Sequence, residues 1–442
     1  MAINKIIQFD MKTTRSGIIS VFFSKMSITI AMTAILTMGP LVSDSTGTNV
    51  GNPSDEVLGI ITVTGGETDF SDIIVSQKLP ENVNAWRPLV LFEVTGNLQQ
   101  PVPVQVANSA ESDDQRIWFP VSGTLAAGEK RQFELRYGAP LQDEGIQLTI
   151  NDKEIRFEEN DQTLLVYNHG HIVPPEGLDP RFIRSGYIHP VYSPSGLLVT
   201  QDMPSDHAHH KGVWFPWTRT EFEGREVDFW NLRAEEGTVQ FAGIESTQAG
   251  PVFSGVRVRH EFVDLTQPDG GKIALNETWD IKAWANETDD YLWDLTSTQQ
   301  TATESALKLL EYHYGGLGFR GAKEWVDDNH VIHTSEGHTK EDGHTERSRW
   351  VAHSGEINDG EWATVVIMVH PENIRYPEPM RIWASGGSFF CYSPVQLGDW
   401  TLEPGNDYVF RYRFWVYDGK IDAREAERMW RQFAHPPEVS WE

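Results

Sequence analysis

Apolar and polar residues alternate along most of the chain, and this period of two predicts strands rather than helices. From residue 59 to about residue 137, short runs of β-branched and aromatic residues are separated by Gly, Pro and Asp turns, as at Pro88–Val94 and Gln132–Tyr137. Short strands at regular spacing are typical of an antiparallel sandwich. We therefore expect a small immunoglobulin-like β-sandwich over residues 58–150.

A second strand-rich region continues almost to the C terminus, with strong examples at Val256–Phe262 and Tyr408–Val416. Apolar and polar residues alternate along its strands, as in sheets that expose one face to water. The region is too long for a simple immunoglobulin-type sandwich, so we predict a large antiparallel two-sheet sandwich, supersandwich-like, over residues 151–442. Asp422–Phe433 has helical spacing behind an aspartate cap, and Pro436 closes it. The fold predicted is thus all-β with one C-terminal helix.

The first residues carry an export pattern. Basic residues precede an apolar run from Ile28 to Val42, and small polar residues follow it. We predict a signal peptide region over residues 1–43, a linker over residues 44–57, and a mature protein that is periplasmic or secreted. No other stretch reaches the roughly 18 apolar residues of a spanning helix, so no membrane span is expected after signal removal.

The composition argues against one class of partner and favours another. The formal net charge of −28 at pH 7 disfavours nucleic acid, because phosphate binding needs clustered Lys and Arg. The single cysteine, Cys391, rules out an internal disulfide, and we expect it to be buried.

All of the 16 tryptophans except Trp86 and Trp118 follow residue 200. Indoles stack on sugar faces, which favours an oligosaccharide or polysaccharide partner, and core packing is the alternative. The oligomeric state is left open.

The segment Gln201–Trp217 concentrates histidines, aspartates, a lysine and tryptophans, a mixture that no core requires. Imidazoles act as acids, bases or metal ligands near neutral pH. If the segment is extended, His207 and His209 point to one face and His210 to the other. The spacing of His207 and His209 suits a divalent metal, and the sequence indicates no other cofactor. Metal binding, acid–base chemistry and structural hydrogen bonding all stay open.

A second cluster runs from Glu311 to Arg320 and is rich in glycine. Alternation puts Glu311 and His313 on one face, where a carboxylate and an imidazole can act as an acid–base pair. The planar fork of Arg320 can hold the carboxylate or sulfate of an acidic sugar. An ordinary strand end with a salt bridge is the alternative.

A third cluster follows the apolar strand that ends at Val369. His370 begins a proline-stiffened loop, and Arg375 and Arg381 are expected near its rim. His189 occupies a similar position and is expected to join the same groove. The histidines of the charged stretch between residues 330 and 344 are expected to be solvated. They are His330, His333, His338 and His344.

These clusters together give the predicted site. The candidate catalytic residues are His207, His209, His210, Glu311 and His313. The candidate substrate-binding residues are His189, Lys211, Trp214, Trp217, Trp230, Arg320, His370, Arg375 and Arg381. A metal, if one is bound, is expected at His207 and His209.

Several motifs occur in a defined order along residues 160–435. They are His189-Pro-x-x-Ser-Pro-Ser-Gly, Asp206-His-x-His-His-Lys-Gly-x-Trp, Asp228-Phe-Trp, Gly-Gly-Leu-Gly-Phe-Arg and His370-Pro-Glu-Asn. In these motifs the chain resembles the bacterial family labelled PmoA-like, after a methane oxygenase subunit. That subunit is a membrane protein, so the label does not carry over. The resemblance implies a secreted β-sandwich protein of bacteria that degrade plant or algal polysaccharides, and it assigns no catalytic residues.

The functional prediction is an exported carbohydrate-active enzyme that cleaves or eliminates at an oligosaccharide, neutral or acidic, in a groove lined by histidine and tryptophan. Elimination beside a uronate needs a base and a neutralised carboxylate, whereas hydrolysis usually needs two carboxylates. The many imidazoles and arginines favour elimination slightly. The alternatives are a non-catalytic carbohydrate-binding protein of a polysaccharide utilisation system and a structural or surface-assembly protein.

Overall fold

The computed structural model describes residues 56–108, 114–139, 141, 145–267, 270–285 and 288–442. The predicted signal peptide region and residues 44–55 of the predicted linker lie outside the described residues. All described residues belong to one compact unit, Val50–Glu442.

The described chain forms strands β1 to β28 and helix α1. The strands of the N-terminal part are β1 (Val57–Thr64), β2 (Phe70–Lys78), β3 (Leu89–Thr95), β4 (Leu98–Val102), β5 (Gln105–Asn108), β6 (Gln115–Leu125) and β7 (Lys130–Tyr137). The strands of the middle part are β8 (Gln147–Ile150), β9 (Glu154–Glu159), β10 (Gln162–Asn168), β11 (Tyr187–Val191), β12 (Val213–Trp214), β13 (Thr220–Phe222), β14 (Arg225–Val227), β15 (Gly237–Gln248), β16 (Phe253–Asp264), β17 (Lys272–Trp284) and β18 (Asp290–Thr301). The remaining elements are β19 (Leu307–Leu309), β20 (Gly318–Arg320), β21 (His330–Thr334), β22 (Trp350–Asn358), β23 (Glu361–Val369), β24 (Met380–Ile382), β25 (Phe389–Tyr392), β26 (Trp400–Leu402), β27 (Tyr408–Asp418), α1 (Ala423–Ala434) and β28 (Glu438–Trp441). Short 3-10 turns occur at Pro180–Phe182, Leu232–Ala234, Asp327–Asn329 and Pro394–Leu397.

The small sandwich packs a five-stranded sheet, in the order β28-β1-β7-β3-β4, against the three-stranded sheet β2-β6-β5. Period-two alternation explains its core, because Ile61 and Val63 of β1 and Phe133 and Leu135 of β7 all point inward and are fully buried. Phe119 of β6 meets Phe133 across the core, with ring centroids 4.9 Å apart.

Two eight-stranded sheets share the core of the large sandwich. Their strand orders are β24-β25-β20-β12-β11-β10-β9-β8 and β15-β16-β17-β18-β27-β23-β22-β21, and a four-stranded sheet, β14-β13-β19-β26, accompanies them. Tyr167 of the first sheet meets Trp279 of the second with ring centroids 6.3 Å apart, and Trp293 stacks on Phe414 at 3.8 Å. Cys391 of β25 is fully buried, as expected. The predicted all-β fold is confirmed.

Two short strands pair across the predicted boundary between the two sandwiches. β8 falls inside the predicted small sandwich, yet it pairs with β9 of the large sandwich, with Ile150 opposite Ile155. β28 falls inside the predicted large sandwich, yet it pairs with β1 of the small sandwich, with Trp441 opposite Ile61. Periodicity identifies a strand but not its partner, so the sequence assigns neither pairing.

Helix α1 confirms the predicted C-terminal helix. The Asp422 carboxylate accepts hydrogen bonds from the backbone N–H groups of Arg424 and Glu425, both at 3.0 Å, which satisfies two N–H groups of the first turn. The apolar face packs on the large sandwich, where the Trp430 indole donates to the Val369 carbonyl at 3.1 Å. Within the described residues, no helix is both long enough and apolar enough to span a bilayer.

Candidate functional site

The predicted histidine segment folds as tight turns. The His207 N–H donates to the Pro204 carbonyl at 3.1 Å, and the His210 N–H donates to the His207 carbonyl at 2.8 Å. The three imidazoles therefore gather in one place, with centroid separations of 5.7 Å (His207–His209), 5.0 Å (His207–His210) and 4.7 Å (His209–His210). The premise of an extended segment, with His210 on the opposite face, is wrong. We call these three side chains the histidine cluster.

An ion pair anchors the turns to the sheet. The Arg320 guanidinium of β20 donates to both carboxylate oxygens of Asp206, at 3.1 and 3.0 Å, and the Gln201 N–H donates to the Arg320 carbonyl at 3.0 Å. Burial alone raises the pKa of Asp206, but the charge of Arg320 lowers that pKa below its ordinary value. Arg320, predicted to bind an anionic substrate group, thus already holds a carboxylate of its own chain.

Lys211 lies directly after the cluster and is fully buried. Its ammonium donates to the Phe182 carbonyl at 3.2 Å and stands 3.4 Å from a carboxylate oxygen of Asp202. The other oxygen of Asp202 accepts from the Tyr187 hydroxyl at 2.7 Å. Burial lowers the pKa of Lys211 to about 8, although Asp202 opposes this effect.

Two imidazoles of the cluster, those of His209 and His210, are held neutral. Burial, followed by the charges of His207 and Lys211, lowers the pKa of His209 to about 4. Burial also lowers the pKa of His210 well below its ordinary value. Neutral imidazoles can accept a proton or a hydrogen bond at neutral pH, which is the state that a general base needs. Nearby, His189 shares a hydrogen bond with the Thr200 hydroxyl at 3.0 Å, and burial lowers its pKa.

Trp383 forms an aromatic wall beside the cluster. Its half-buried indole lies 4.7 Å from the His207 ring, 5.5 Å from the His210 ring and 4.7 Å from the Phe389 ring, measured between centroids. The Arg320 guanidinium lies 5.3 Å from its ring centroid. Alternation carries the one available signal for this residue, because Ile382 before it is buried in β24 and Trp383 points the other way.

The three predicted tryptophans lie deeper than expected. Trp214 and Trp230 are fully buried, 4.9 Å apart, and support the His210 ring at 5.1 and 6.2 Å. Trp217 packs in the main core, where its indole donates to the Gln299 side chain at 2.8 Å. In this structure their faces are packed against protein, so none of them is an open platform for a sugar ring.

The second predicted cluster only borders the first. Glu311 is exposed, and its backbone N–H donates to the Asp399 carboxylate at 2.9 Å. His313 is also largely exposed; partial burial of its ring, followed by the charge of Arg381, lowers its pKa. Tyr314, the next residue, packs beside the histidine cluster. Its ring lies 5.1 Å from that of Trp230, which in turn packs against His210.

The predicted arginines are engaged elsewhere. Arg375 donates to the carbonyls of Pro394 and Gly398, at 2.7 and 2.8 Å, and so braces a loop. Arg381 makes a hydrogen bond to the His344 imidazole at 3.0 Å.

His370 lies in a separate cleft of about 720 Å³ between the small sandwich and the large sandwich. Trp118, Lys282 and Phe433 also line this cleft. The structure therefore does not bring His370 to the histidine cluster, and the convergence of all predicted segments in one groove does not occur.

The stretch between residues 330 and 344 departs from the expectation of solvated histidines. His330 begins β21 and is 1% exposed, because alternation turns it inward with Ile332. The expectation is wrong for His330. His333, His338 and His344 are half-buried.

Arg184 is the residue that the sequence did not single out. It is 1% exposed, and none of its three guanidinium nitrogens has a hydrogen-bond partner among the described residues. Burial lowers its pKa to about 10. A lone arginine before a strand carries no local pattern that distinguishes it from a surface residue.

A metal site is not evident from the side chains. Among the described residues, no group of three or more His, Cys, Asp or Glu side chains is arranged to hold a metal ion. His210 lies close to the predicted pair His207 and His209 but does not complete such an arrangement with them.

The fold and this site define an all-β sandwich protein with a histidine cluster against an aromatic wall. Residues 154–431 match the model of a family described as a family of unknown function, DUF6807, and the chain belongs to that family. No curated protein matches the chain.

Two solved structures show distant similarity. An α-mannosidase from Enterococcus faecalis V583 is 11% identical with a TM-score of 0.39, and the match covers 87% of this chain and 46% of that one. A GalM/aldose epimerase homologue from C. elegans is 10% identical with a TM-score of 0.27, covering 63% of this chain and 99% of that one. The chain thus spans about half the length of the mannosidase. At these TM-scores, neither protein's activity transfers to this chain.

Proposed function

We propose that the chain is an exported carbohydrate-active enzyme that breaks a glycosidic linkage by proton transfer at the histidine cluster. The observation that carries the proposal is the half-buried indole of Trp383, 4.7 Å from the ring of His207 and therefore next to the cluster. An indole face binds the apolar face of a sugar ring, and a neutral imidazole beside it can take a proton from that sugar.

The neighbouring carboxylates favour elimination over hydrolysis. Hydrolysis usually uses two carboxyl groups on opposite sides of the bond. Here Asp206 is held by Arg320, and Asp202 is held by Tyr187 and Lys211. Elimination needs no carboxylate from the protein, because a base such as His209 removes a proton from carbon and the C–O bond to the leaving oxygen then breaks.

Incubation with a panel of neutral and acidic oligosaccharides tests the proposal. New reducing ends report either kind of cleavage, and the short-wavelength ultraviolet absorbance of an unsaturated product reports elimination. We expect His209→Gln to reduce kcat/KM by about 100-fold or more on any substrate found, and His338→Gln, in an outer loop, to leave it unchanged. Binding without cleavage of any panel member would show a carbohydrate-binding protein instead of an enzyme.

A further inference from the structure

We propose that Arg184 and Lys211 form a buried pocket beside the histidine cluster that binds the carboxylate of a hexuronate sugar. This inference rests on the proposed function and names its substrate class. Arg184 is the direct partner of the carboxylate, and Lys211 supplies a second positive charge beside it. Arg320, Arg375 and Arg381 are not assigned this role, because they are already bonded to Asp206, to backbone carbonyls and to His344.

The unpartnered guanidinium is the main observation. Arg184 is 1% exposed, and its Nε, Nη1 and Nη2 atoms find no acceptor among the described residues. Burying charged donors without acceptors is strongly unfavourable, so a group from outside the chain is expected to satisfy them. A carboxylate matches the planar fork of a guanidinium with two parallel hydrogen bonds.

The nearby acidic side chains are already engaged. The oxygens of Glu277 accept hydrogen bonds from His260, Ser297 and Gln299. Asp202 is bonded to Tyr187 and lies against Lys211. Of the two buried cations, Lys211 therefore has a direct counter-ion and Arg184 has none.

Arg184 and Lys211 lie near the histidine cluster. Burial lowers the pKa of both His209 and Lys211, and the charge of Arg184 adds to this lowering. The backbone of Arg184 pairs with Ile172, and Ile172 packs against the buried cluster that contains Tyr187 and Trp214 and that Trp383 also borders. A sugar ring at Trp383 and its carboxylate at Arg184 would bring the sugar to His209.

The reaction that fits these positions is β-elimination. His209 takes the proton from the carbon that bears the carboxylate, and the electron pair of that C–H bond forms a C=C bond. The C–O bond between the neighbouring carbon and the leaving sugar breaks, and a protonated His207, hydrogen-bonded to Asp206 at 3.2 Å, donates its proton to the leaving oxygen. Proton exchange with water then restores both imidazoles. Arg184 and Lys211 stabilise the negative charge that builds up on the carboxylate.

Calorimetric titration with monosaccharides tests the pocket without requiring turnover. The probes are glucuronate, glucose as the neutral match and glucose 6-sulfate as a different anion. We expect the wild-type protein to bind glucuronate at least about tenfold more tightly than either of the others, as expected for a hydrogen-bonded charge pair. Arg184→Gln should abolish this preference, while Arg181→Gln, three residues earlier and exposed, should keep it.

Arg184 is buried, so its variants must first be shown to fold by thermal unfolding. If Arg184→Gln does not fold, Lys211→Gln replaces it, with the same expected loss of preference. Equal binding of glucuronate and glucose by the wild type would overturn the inference and leave a bridging water as the partner of Arg184. Tighter binding of glucose 6-sulfate, or a preference retained in a folded Arg184→Gln protein, would also overturn it.

The two proposals fail separately. Cleavage of neutral oligosaccharides without any glucuronate preference would remove the carboxylate pocket and keep the enzyme. Glucuronate binding through Arg184 with no cleavage of any oligosaccharide would remove the enzyme and keep the pocket.

Discussion

Burial changes the acid–base chemistry of single residues around the histidine cluster. His209 is half-buried beside the charged Lys211 and Arg184, and these surroundings lower its pKa to about 4. His210, packed on Phe389 with ring centroids 4.6 Å apart, is held neutral by the same effect. A site that must take a proton from a sugar near neutral pH benefits from imidazoles in this state.

The titration of His209 provides a direct check. We expect its imidazole to titrate near pH 4 rather than near 6.5, as followed by NMR of ¹³C-labelled histidine and assigned with His209→Gln. Because its folded pKa lies below the unfolded value, its contribution to stability is present above pH 6.5 and is lost as the pH falls towards 4. A midpoint near 6.5 would mean that water and counter-charges reach the ring freely.

Glu378 gives the opposite dependence on pH. It is fully buried, with Tyr412 donating to both carboxylate oxygens at 3.0 Å and Asn373 donating to one at 2.9 Å. Burial raises its pKa from 4.5 to about 7. The folded state therefore holds a proton that the unfolded state releases, and stability falls as the pH rises from 4.5 to 7.

We expect Glu378→Gln to flatten this pH dependence. The change in stability over that range is on the order of 3 kcal/mol in the wild type, measured by urea unfolding at several pH values. Glu361→Gln, at an exposed position on β23, is the matched control and should keep the wild-type slope. A Glu378→Gln protein with an unchanged slope would show that Glu378 is not the group responsible.

At the scale of elements, the turns between Gln201 and Gly212 depend on bonds to distant parts of the chain. Asp206 is fixed by Arg320, which comes more than a hundred residues later, and Lys211 is fixed by the Phe182 carbonyl. Local pattern predicts a strand from residue alternation, but it contains no information about such partners.

This difference explains how much of the site the sequence could predict. The sequence points to His207, His209, His210 and Lys211 because they lie within five consecutive positions. Arg184 was missed because only its burial without an acceptor distinguishes it. Period-two alternation predicted most of the sheets, whereas the pairing of β8 and β28 depends on contacts far along the chain.

The Asp206 ion pair should hold the turns in place. Asp206→Asn removes the charge opposite Arg320, which is nearly buried, while Asp206 itself is half-exposed and partly screened. We expect a loss of about 1–2 kcal/mol in unfolding free energy. Glu226→Gln is the control, because the Glu226 side chain is exposed and lies 3.9 Å from Arg219. This variant should leave stability unchanged. Equal stability of Asp206→Asn and wild type would mean that the ion pair does not anchor the loop.

At the scale of the whole molecule, the C terminus returns to the small sandwich. After α1, strand β28 adds to the edge of β1, and the Trp441 indole donates to the Lys78 carbonyl at 2.7 Å. A side chain in place of Gly59 would collide with the Trp441 ring, since a Cβ there would lie 2.8 Å from it. The small sandwich is therefore completed by the last residues of the chain.

Trp441→Ala tests this connection. We expect a loss of about 2 kcal/mol in unfolding free energy, because the half-buried indole is removed along with its hydrogen bond. Leu98→Ala, at a side chain that is 74% exposed, is the control and should change little. Cleavage of the small sandwich by protease should also become faster in Trp441→Ala. Unchanged stability and unchanged proteolysis would show that β28 contributes nothing to the small sandwich.

The affinity of Trp383→Ala for an oligosaccharide tests most directly the claim that a sugar binds at the histidine cluster. With the best-bound member of the panel, calorimetry should show a loss of about tenfold or more in affinity relative to wild type, because the stacking face beside His207 is gone. Trp86→Ala, at an indole that is 91% exposed on the small sandwich, should bind as the wild type does. Wild-type affinity in Trp383→Ala, or a loss confined to Trp86→Ala, would contradict the account.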